Sequence, residues 1–463
     1  MYDVAFIGNG IEAKCNGTVV DPEKLVRVSG QIGCFELSAE ESGVIGAICA
    51  KTIVVNMEPE ETLPVDGAES FGADAGEPEG TAVFIQDYLS LTPAYYNKTG
   101  LLNAIRIKER FGKEVVYFYR SMRFPDGDGS LYKSAKRLGI VFEKYAGEDL
   151  QITRRNGFQI DFGNAFFTFS IHTRSLYLAP LIKPGRSYER IAGILHIRES
   201  EEGFLQTDNV YLQPTRTNRR GIYTIGFAKG RSGMSSLDGD IAFTLSDIKR
   251  ETNLLRPLTA DRREVDEQLC ALCYTCFRSC PHGAVEREES RDCMKINEYA
   301  CYGCNTCISA CPAQAISIAG EKDGREKDIG KSPEGKPYKI LLCENSAETA
   351  YRELGEMLGE SAEIGTIPCS NSVRKSDIYR ALSGRGGKLL VLGCINDACR
   401  HIDGNRNFER VVREARKNLS GIGLDPDRVR FERVSLRMKD RLKEIIDQFM
   451  GVEKDDCSPS KTN

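Results

Sequence analysis

Tryptophan is absent from the chain, and histidine occurs only four times in 463 residues. His172, His196, His282 and His401 are widely scattered, and none falls in an H-x3-H metal pattern or a recognisable catalytic setting. They read as structural or surface residues, and no catalytic residue is assigned. A strong charge balance is missing too. The formal net charge of −4 gives no basis for nucleic-acid binding or for attraction to an anionic membrane. Long apolar runs are lacking: the nearest, Val44 to Val55, is too short to span a bilayer and is interrupted by Lys51. The start, Met1-Tyr-Asp, shows no basic region followed by an apolar core, so no secretory signal is expected. Cysteine, by contrast, is abundant. Seventeen cysteines without a secretory signal point to metal ligation in a reducing compartment, and cytoplasm is the expected location. Any membrane contact is expected through another subunit.

The cysteines are organised. Cys270-Ala-Leu-Cys273-Tyr-Thr-Cys276-Phe-Arg-Ser-Cys280-Pro281 recurs 31 residues later as Cys301-Tyr-Gly-Cys304-Asn-Thr-Cys307-Ile-Ser-Ala-Cys311-Pro312. Each copy is C-x2-C-x2-C-x3-C-P, the run that holds a [4Fe–4S] cubane. Three thiolates at this interval surround three irons of one cube, and the fourth ligates the neighbouring cube. Cys270, Cys273, Cys276 and Cys311 are therefore assigned to one cluster. Cys301, Cys304, Cys307 and Cys280 are assigned to the other. Structural zinc also uses C-x2-C pairs. It leaves the third cysteine and the Cys-Pro of both copies unexplained.

At 463 residues, 41% of them hydrophobic, the chain is expected to be globular and to hold about three domains. Thr81–Gln86, Leu101–Arg110, Glu114–Tyr119, Ser130–Leu138 and Ile140–Phe142 read as strand, helix, strand, helix, strand. That order implies a parallel sheet covered by helices. Glu58 to Gly80, rich in acidic residues, Gly and Pro, reads as a linker or long loop. The expected organisation is α/β throughout the flanks. A domain over 1–258 precedes an α+β two-cluster ferredoxin domain at 259–320, a charged linker at 321–336 and a small α/β domain at 337–451. Residues 452–463, with Cys457, form a polar tail expected to be disordered. In the small C-terminal domain the expected strands are Tyr338–Leu342, one ending at Cys369, and Lys388–Leu392. The expected helices lie near Glu348–Leu358, Ser376–Leu382 and Arg437–Phe449.

Four cysteines remain in that domain: Cys343, Cys369, Cys394 and Cys399. Open parallel sheets bind ligands at the carboxyl ends of their strands, and three of these residues follow strand ends or a glycine. Four converging thiolates suffice for a [2Fe–2S] or a [4Fe–4S] cluster, and buried free cysteines are the alternative. The segment from Cys369-Ser-Asn-Ser-Val through Leu-Gly-Cys394-Ile-Asn-Asp-Ala-Cys399-Arg-His-Ile-Asp-Gly-Asn405 resembles the delta subunit of methyl-viologen-reducing hydrogenase. The resemblance spans about Tyr338 to Met450 and implies a [2Fe–2S] centre that passes electrons toward a heterodisulfide reductase A subunit. Where that family has a cysteine pair before its first helix, this chain reads Cys343-Glu-Asn-Ser346.

Residues 20–255 resemble the flavoprotein part of the heterodisulfide reductase A subunit, which is akin to thioredoxin reductase. The matching segments are Leu25–Glu36, Ala82–Gln86, Val115–Tyr119 and Thr217–Gly226. A similar domain order occurs in a subunit of the quinone-interacting oxidoreductase of sulfate reducers. The resemblance implies a truncated, degenerate thioredoxin-reductase-like domain, and the family member would bind FAD. Gly8-Asn-Gly10-Ile-Glu-Ala13 does satisfy G-x-G-x-x-A as a string. Yet Cys15-Asn-Gly17 follows too soon for a helix of several turns, and Asp21 comes too early for a ribose contact. Gly226-Phe227 stands where related flavoproteins often carry Gly-Asp. Gly8 and Gly10 are thus read as part of a hairpin or turn rather than a dinucleotide loop. Leu91–Thr99 lacks the cysteine that the family carries there, and Cys15, Cys34, Cys49 and Cys293 are read as free thiols.

Three functional readings follow. The first is an iron–sulfur relay subunit, without its own substrate site, working among other redox subunits of a heterodisulfide reductase-like complex. The second is an FAD-containing subunit of such a complex that splits or merges electron pairs. The third is a non-enzymatic redox-sensing or assembly protein.

Overall fold

The computed structural model describes residues 2–8, 17–72, 76–122, 129–146, 150–163, 168–208, 213–230, 237–253, 255, 257, 261–288, 290–320, 336–354, 362–383, 387–396 and 398–451. Cys15, Gly10, Cys457, the linker expected at 321–336 (save Lys336) and the tail expected at 452–463 lie outside them. The chain divides into two compact units. One comprises Met1–Thr217 and Gly221–Asn253; the other comprises Asn218–Arg220 and Leu254–Asn463. Among the described residues, no helix is long and apolar enough to cross a membrane.

The first unit contains two larger sheets. The expected β-α-β-α-β run is present: strands Ala82–Ile85, Val115–Tyr119 and Val141–Lys144 are parallel neighbours, linked by helices Ala94–Phe111 and Ser130–Arg137. Ser175–Leu178 and Glu69–Ser70 extend this sheet in parallel, giving five strands. The four residues of Ala82–Ile85 are all buried, as they must be in a central parallel strand covered on both faces. The acidic stretch from Glu58 to Gly80 is not simply a loop, because Glu60–Thr62 and Glu69–Ser70 pair as short edge strands.

The other large sheet departs from the alternation expected of residues 1–258. Leu25–Gln31, Cys34–Glu41 and Val44–Asn56 form an antiparallel meander, closed by turns at Gly33 and at Ser42-Gly43 that take positive φ. The apolar run around Lys51 is the last of these strands. Tyr2–Gly8 lies parallel to Val44–Asn56 on one side and to Gly17–Val20 on the other. A hairpin between Gly8 and Gly17 is therefore excluded, since hairpins join antiparallel strands. The connecting residues 9–16 lie outside the described ones.

In the second unit, Tyr338–Cys343, Ala362–Ile367, Lys388–Gly393 and Val429–Arg433 form an all-parallel sheet. Alternate side chains of its strands serve opposite faces. Leu341, Leu389 and Val391 pack against Ile378 and Ala381 of helix Lys375–Ala381 and against Phe408, Val412, Ala415 and Leu419 of helix Gly404–Gly421. Ile340, Leu342, Leu390 and Leu392 face helices Ala347–Arg352 and Lys439–Met450. The sheet is thus wound on both faces. The strand Tyr338–Cys343 lies between Ala362–Ile367 and Lys388–Gly393, so the chain reverses its direction of travel across the sheet there.

Candidate iron–sulfur sites

The doubled cysteine run folds as a pseudo-repeat. Each copy contributes one short helix, Thr275–Ser279 and Thr306–Ala310. The backbone matches at the 31-residue offset: Leu272 and Gly303, Tyr274 and Asn305, Gly283 and Gln314 all take positive φ. Left-handed backbone at non-glycine residues costs roughly 1–2 kcal/mol each. The repeated turns give both copies the same backbone path around their cysteines.

The thiols group across the repeat. The Cys276 thiol is pushed up first by burial and then by the negative charges of Cys311, Cys270 and Cys273. Cys307 is raised by burial and by Cys304, Cys280 and Cys301. Burial and then Cys280 push Cys304 up to about 12. The electrostatic neighbours are thus two crossed sets of four. Backbone amides point at the sulfurs: Ala315 N–H donates to Cys311 Sγ at 3.3 Å, Ala284 N–H to Cys280 Sγ and Gly303 N–H to Cys301 Sγ, both at 3.4 Å. Such bonds stabilise the charged sulfur and tune a bound cluster's potential. The two sets differ in exposure. Cys273 is exposed, whereas its counterpart Cys304 is buried, with Arg263 beside it bonding Gly303 O at 3.0 Å and Asn305 Oδ1 at 2.8 Å.

The four remaining cysteines meet at the carboxyl edge of the parallel sheet. Cys343 ends the strand Tyr338–Cys343 and Cys394 directly follows Lys388–Gly393, so they flank the point where the strand order reverses, where open α/β sheets bind ligands. Their Sγ atoms are 3.9 Å apart. All four, with Cys369 and Cys399, are buried. Hydrogen bonds among them set opposite directions: Cys399 is held low by its bonds from Cys369 and Cys394, while Cys369 is raised by the same contact with Cys399. Two thiolates on one tetrahedral metal with bonds of ~2.3 Å stand ~3.8 Å apart, so the Cys343–Cys394 spacing suits one shared iron.

The surroundings are built for this. Gly404, first residue of helix Gly404–Gly421, has no room for a side chain, because a Cβ there would lie 2.5 Å from Cys369 Sγ. The Asn405 backbone bonds the Cys399 sulfur, and its side chain donates to the carbonyls of Cys394 at 3.0 Å and Ile395 at 2.9 Å. This explains the Gly-Asn pair at the end of the motif. Ser346, which closes the segment Cys343-Glu-Asn-Ser346, is buried.

Two histidines far apart in the sequence also meet here. His282 and His401 are 1% and 6% exposed, and their Nε2 and Nδ1 atoms are 2.8 Å apart. His282 Nδ1 faces the Asn218 carbonyl at 2.7 Å. Burial lowers both rings, His401 to about 4, so both stay neutral. The signal available in the sequence was position: each stands two residues after a cysteine, Cys280 and Cys399.

At the start of the glycine-rich string, Gly8 takes φ +94°, and a Cβ there would lie 2.3 Å from the Asn56 carbonyl oxygen. The close pairing of two strands accounts for this glycine. At the later turn, the Gly226 amide donates to Asp240 Oδ2 at 3.0 Å, and Asp240 also holds buried Lys229 at 2.6 Å. The Phe227 ring packs on Tyr95 and Tyr96, centroids 5.3 and 5.6 Å away. Of the residues read as free thiols, Cys34 and Cys49 are exposed and Cys293 is buried.

Comparison with known proteins bears on these sites. Residues 269–316 match the 4Fe-4S dicluster domain family, and residues 339–454 match the family of the methyl-viologen-reducing hydrogenase delta subunit. The chain is 27% identical over 435 residues to the A subunit of the ferredoxin/F(420)H(2)-dependent CoB-CoM heterodisulfide reductase of Methanosarcina acetivorans. That match covers 86% of this chain and 53% of the relative, so the chain spans about half the length of the curated relatives it matches. It is also 28% identical over 89 residues to the iron-sulfur D subunit of the F420-non-reducing hydrogenase of Archaeoglobus profundus, covering 19% of this chain and 65% of that one. The thioredoxin reductase of T. acidophilum superposes with a TM-score of 0.36 at 11% identity, covering 54% of this chain and 98% of that one. The chain is an iron–sulfur protein of electron transfer similar to the heterodisulfide reductase A subunit, in which a two-cluster ferredoxin segment is followed by one like the hydrogenase delta subunit.

Proposed function

We propose that this chain is a relay subunit of a cytoplasmic heterodisulfide reductase-like complex, carrying electrons between partner redox subunits without a substrate site of its own. Cys270, Cys273, Cys276 and Cys311 hold one [4Fe–4S] cluster, and Cys280, Cys301, Cys304 and Cys307 hold the other. Cys343, Cys369, Cys394 and Cys399 hold a [2Fe–2S] centre, with Cys343 and Cys394 on one iron. When bound, such clusters each take up and release single electrons. The chain's residues supply the thiolates, direct amides at the sulfurs and exclude water from the inner sites. Three domains at 1–258, 259–320 and 337–451 divide this work, the first acting in docking.

The single observation that carries this reading is the gathering of four buried thiols at the reversal point of the C-terminal sheet, in the same compact unit as the doubled ferredoxin run. Four buried thiolates repel one another and need a cation, whereas four unrelated buried cysteines have no reason to converge. The first cubane meets a partner, a reading that the exposure of Cys273, and of Leu269 and Phe277 near it in the chain, supports. Purified anaerobically, the protein should contain about ten irons per chain, from two four-iron clusters and one two-iron centre. About eight, with no third spin-resonance signal, would refute the assignment of the C-terminal site.

A second reading keeps FAD in the first unit, and the parallel pairing of Tyr2–Gly8 with Gly17–Val20 favours it. Against it stand the Gly8 contact with Asn56 and the turn at Gly226, whose amide Asp240 already occupies. We take these residues not to fit the flavin. Stoichiometric FAD in the purified chain would reverse that choice.

A further inference from the structure

We propose that the hydrogen-bonded pair His282–His401 is the bridge through which electrons pass between the cubane of Cys280, Cys301, Cys304 and Cys307 and the centre of Cys343, Cys369, Cys394 and Cys399. The inference rests on the reading that the second of these sites holds a cluster. Each histidine is tied by two peptide units to a cysteine of a different centre, His282 to Cys280 and His401 to Cys399. The rings meet at 2.8 Å, and Cys304 Sγ lies within 4.8 Å of both. Electron tunnelling is strongest along covalent and hydrogen-bonded steps and weakest across gaps. This contact replaces a gap by one short hydrogen bond.

The same three residues also have the look of a metal site, and geometry argues against that. Two nitrogens on one tetrahedral metal at ~2.0–2.1 Å stand ~3.3 Å apart. At 2.8 Å the nitrogens share a proton instead. With His282 Nδ1–H donating to the Asn218 carbonyl, its Nε2 is the acceptor and the shared proton is that of His401 Nδ1, whose ring also has the Pro368 carbonyl within hydrogen-bonding reach. His401 Nε2 faces the Asn345 amide at 3.4 Å, and Asn345 also donates to Pro368 O at 3.1 Å. His282 is stacked on Tyr302 with centroids 4.0 Å apart, and the Arg400 guanidinium lies 5.3 Å from the same ring. The rings are therefore fixed in orientation, as a bridge requires.

The internal repeat provides an independent comparison. At the 31-residue offset, the counterpart of His282 is Ala313 and that of Tyr302 is Ala271. The imidazole and the ring beneath it are thus present only at the cubane that adjoins the third centre. A purely structural requirement of the ferredoxin fold would apply to both copies.

The step moves one electron: the reduced [4Fe–4S] cluster is oxidised by one unit and the other centre is reduced by one. No bond at either ring is made or broken. The test uses the full chain with its clusters, reduced by a rapid one-electron pulse and followed by freeze-quench spin resonance. His401→Leu removes the bridge, and His282→Phe removes it while keeping a ring on Tyr302. Each should slow equilibration between the two centres by about an order of magnitude, and the double variant should be no slower than either single one. His401→Asn, which retains an N–H near the position of Nδ1, should recover most of the rate. Iron content, signal shapes and midpoint potentials of both centres should stay as in the parent. Unchanged rates with both centres intact would overturn the proposal. Loss of either centre in all three single variants would also overturn it, assigning the pair to cluster retention. A parent protein lacking the third signal would instead sink the reading of that site, before any histidine variant is made.

Discussion

Gly404→Ala adds one methyl group at the first residue of the helix Gly404–Gly421, and its effect should have opposite sign with and without iron. The added Cβ would stand 2.5 Å from Cys369 Sγ and 3.3 Å from Cys399 Sγ. Replacing glycine by alanine within a helix favours folding by up to ~1 kcal/mol. Inserting a methyl group into filled space costs ~1–3 kcal/mol. In the iron-free chain the Cys369 thiol can turn aside, the cost falls away, and thermal stability should equal or slightly exceed that of the parent. With iron bound, the metal–sulfur bond fixes the sulfur and the methyl group has nowhere to go. The clash then outweighs the gain in helix stability, and the centre is lost. Iron should fall from about ten to about eight per chain, and the third spin-resonance signal should vanish while both cubane signals persist. Gly421→Ala, at the other end of the same helix, meets nothing within 4 Å and should leave iron content untouched. Full iron content with an unaltered third signal in the Gly404→Ala protein would refute this reasoning.

Crossed ligation predicts that Cys280→Ala alters the signal of the cubane with Cys301, Cys304 and Cys307, although Cys280 belongs to the other run in sequence. A change confined to the other cubane would contradict it. Arg263→Gln should lower the midpoint potential of that same cubane in a spin-resonance titration, because it removes a buried positive charge beside the Gly303–Asn305 turn. An unmoved or raised potential would count against that role. Gly8→Ala should destabilise the protein by ~1–3 kcal/mol in chemical denaturation, with or without added FAD, since the clash is with a strand neighbour. Flavin-dependent destabilisation would restore a dinucleotide role to that residue. Asp240→Ala leaves Lys229 buried without its partner and should cost ~3–5 kcal/mol; a loss below ~1 kcal/mol would show that water reaches the lysine.

Much of the chemistry was legible because metal ligation imposes spacing on neighbouring residues. The C-x2-C-x2-C-x3-C-P runs and the Cys-then-Gly-Asn segment carry their geometry within a few residues, and the parallel run from Ala82 to Lys144 shows in its hydrophobic periodicity. What stayed hidden depends on partners distant in sequence. Val44–Asn56 is apolar whether it lies in a helix or a sheet, and only its pairing with Cys34–Glu41 and Tyr2–Gly8 decides. The role of Gly8 likewise depends on Asn56, 48 residues away, so a glycine string alone could not reveal it. Helix Gly404–Gly421 and strand Val429–Arg433 are not among the expected elements although their signal is local: Phe408, Val412, Ala415 and Leu419 recur at helical spacing, and Val429 and Phe431 alternate with charged residues. His282 and His401 are 119 positions apart, and nothing local to either announces the other.

The two proposed cubanes share the same ligand type and spacing, so whatever distinguishes them electrically must come from their surroundings. A cluster becomes more negative when reduced, and burial disfavours that charge, lowering the potential of the inner cubane relative to the one with exposed Cys273. Left alone, this would make the inner site a barrier between the surface cubane and the third centre. Arg263 opposes it. The guanidinium is buried at the turn Gly303–Asn305 and is itself held by carbonyl and amide oxygens, so its charge is fixed and poorly screened. A fixed cation next to the buried site offsets the cost of burying the extra electron there. On the proposed relay, exposure at one end, a compensating arginine in the middle and a hydrogen-bonded imidazole pair toward the sheet's edge would each address a separate obstacle to moving one electron through protein. Hydrolytic or group-transfer chemistry would need none of the three.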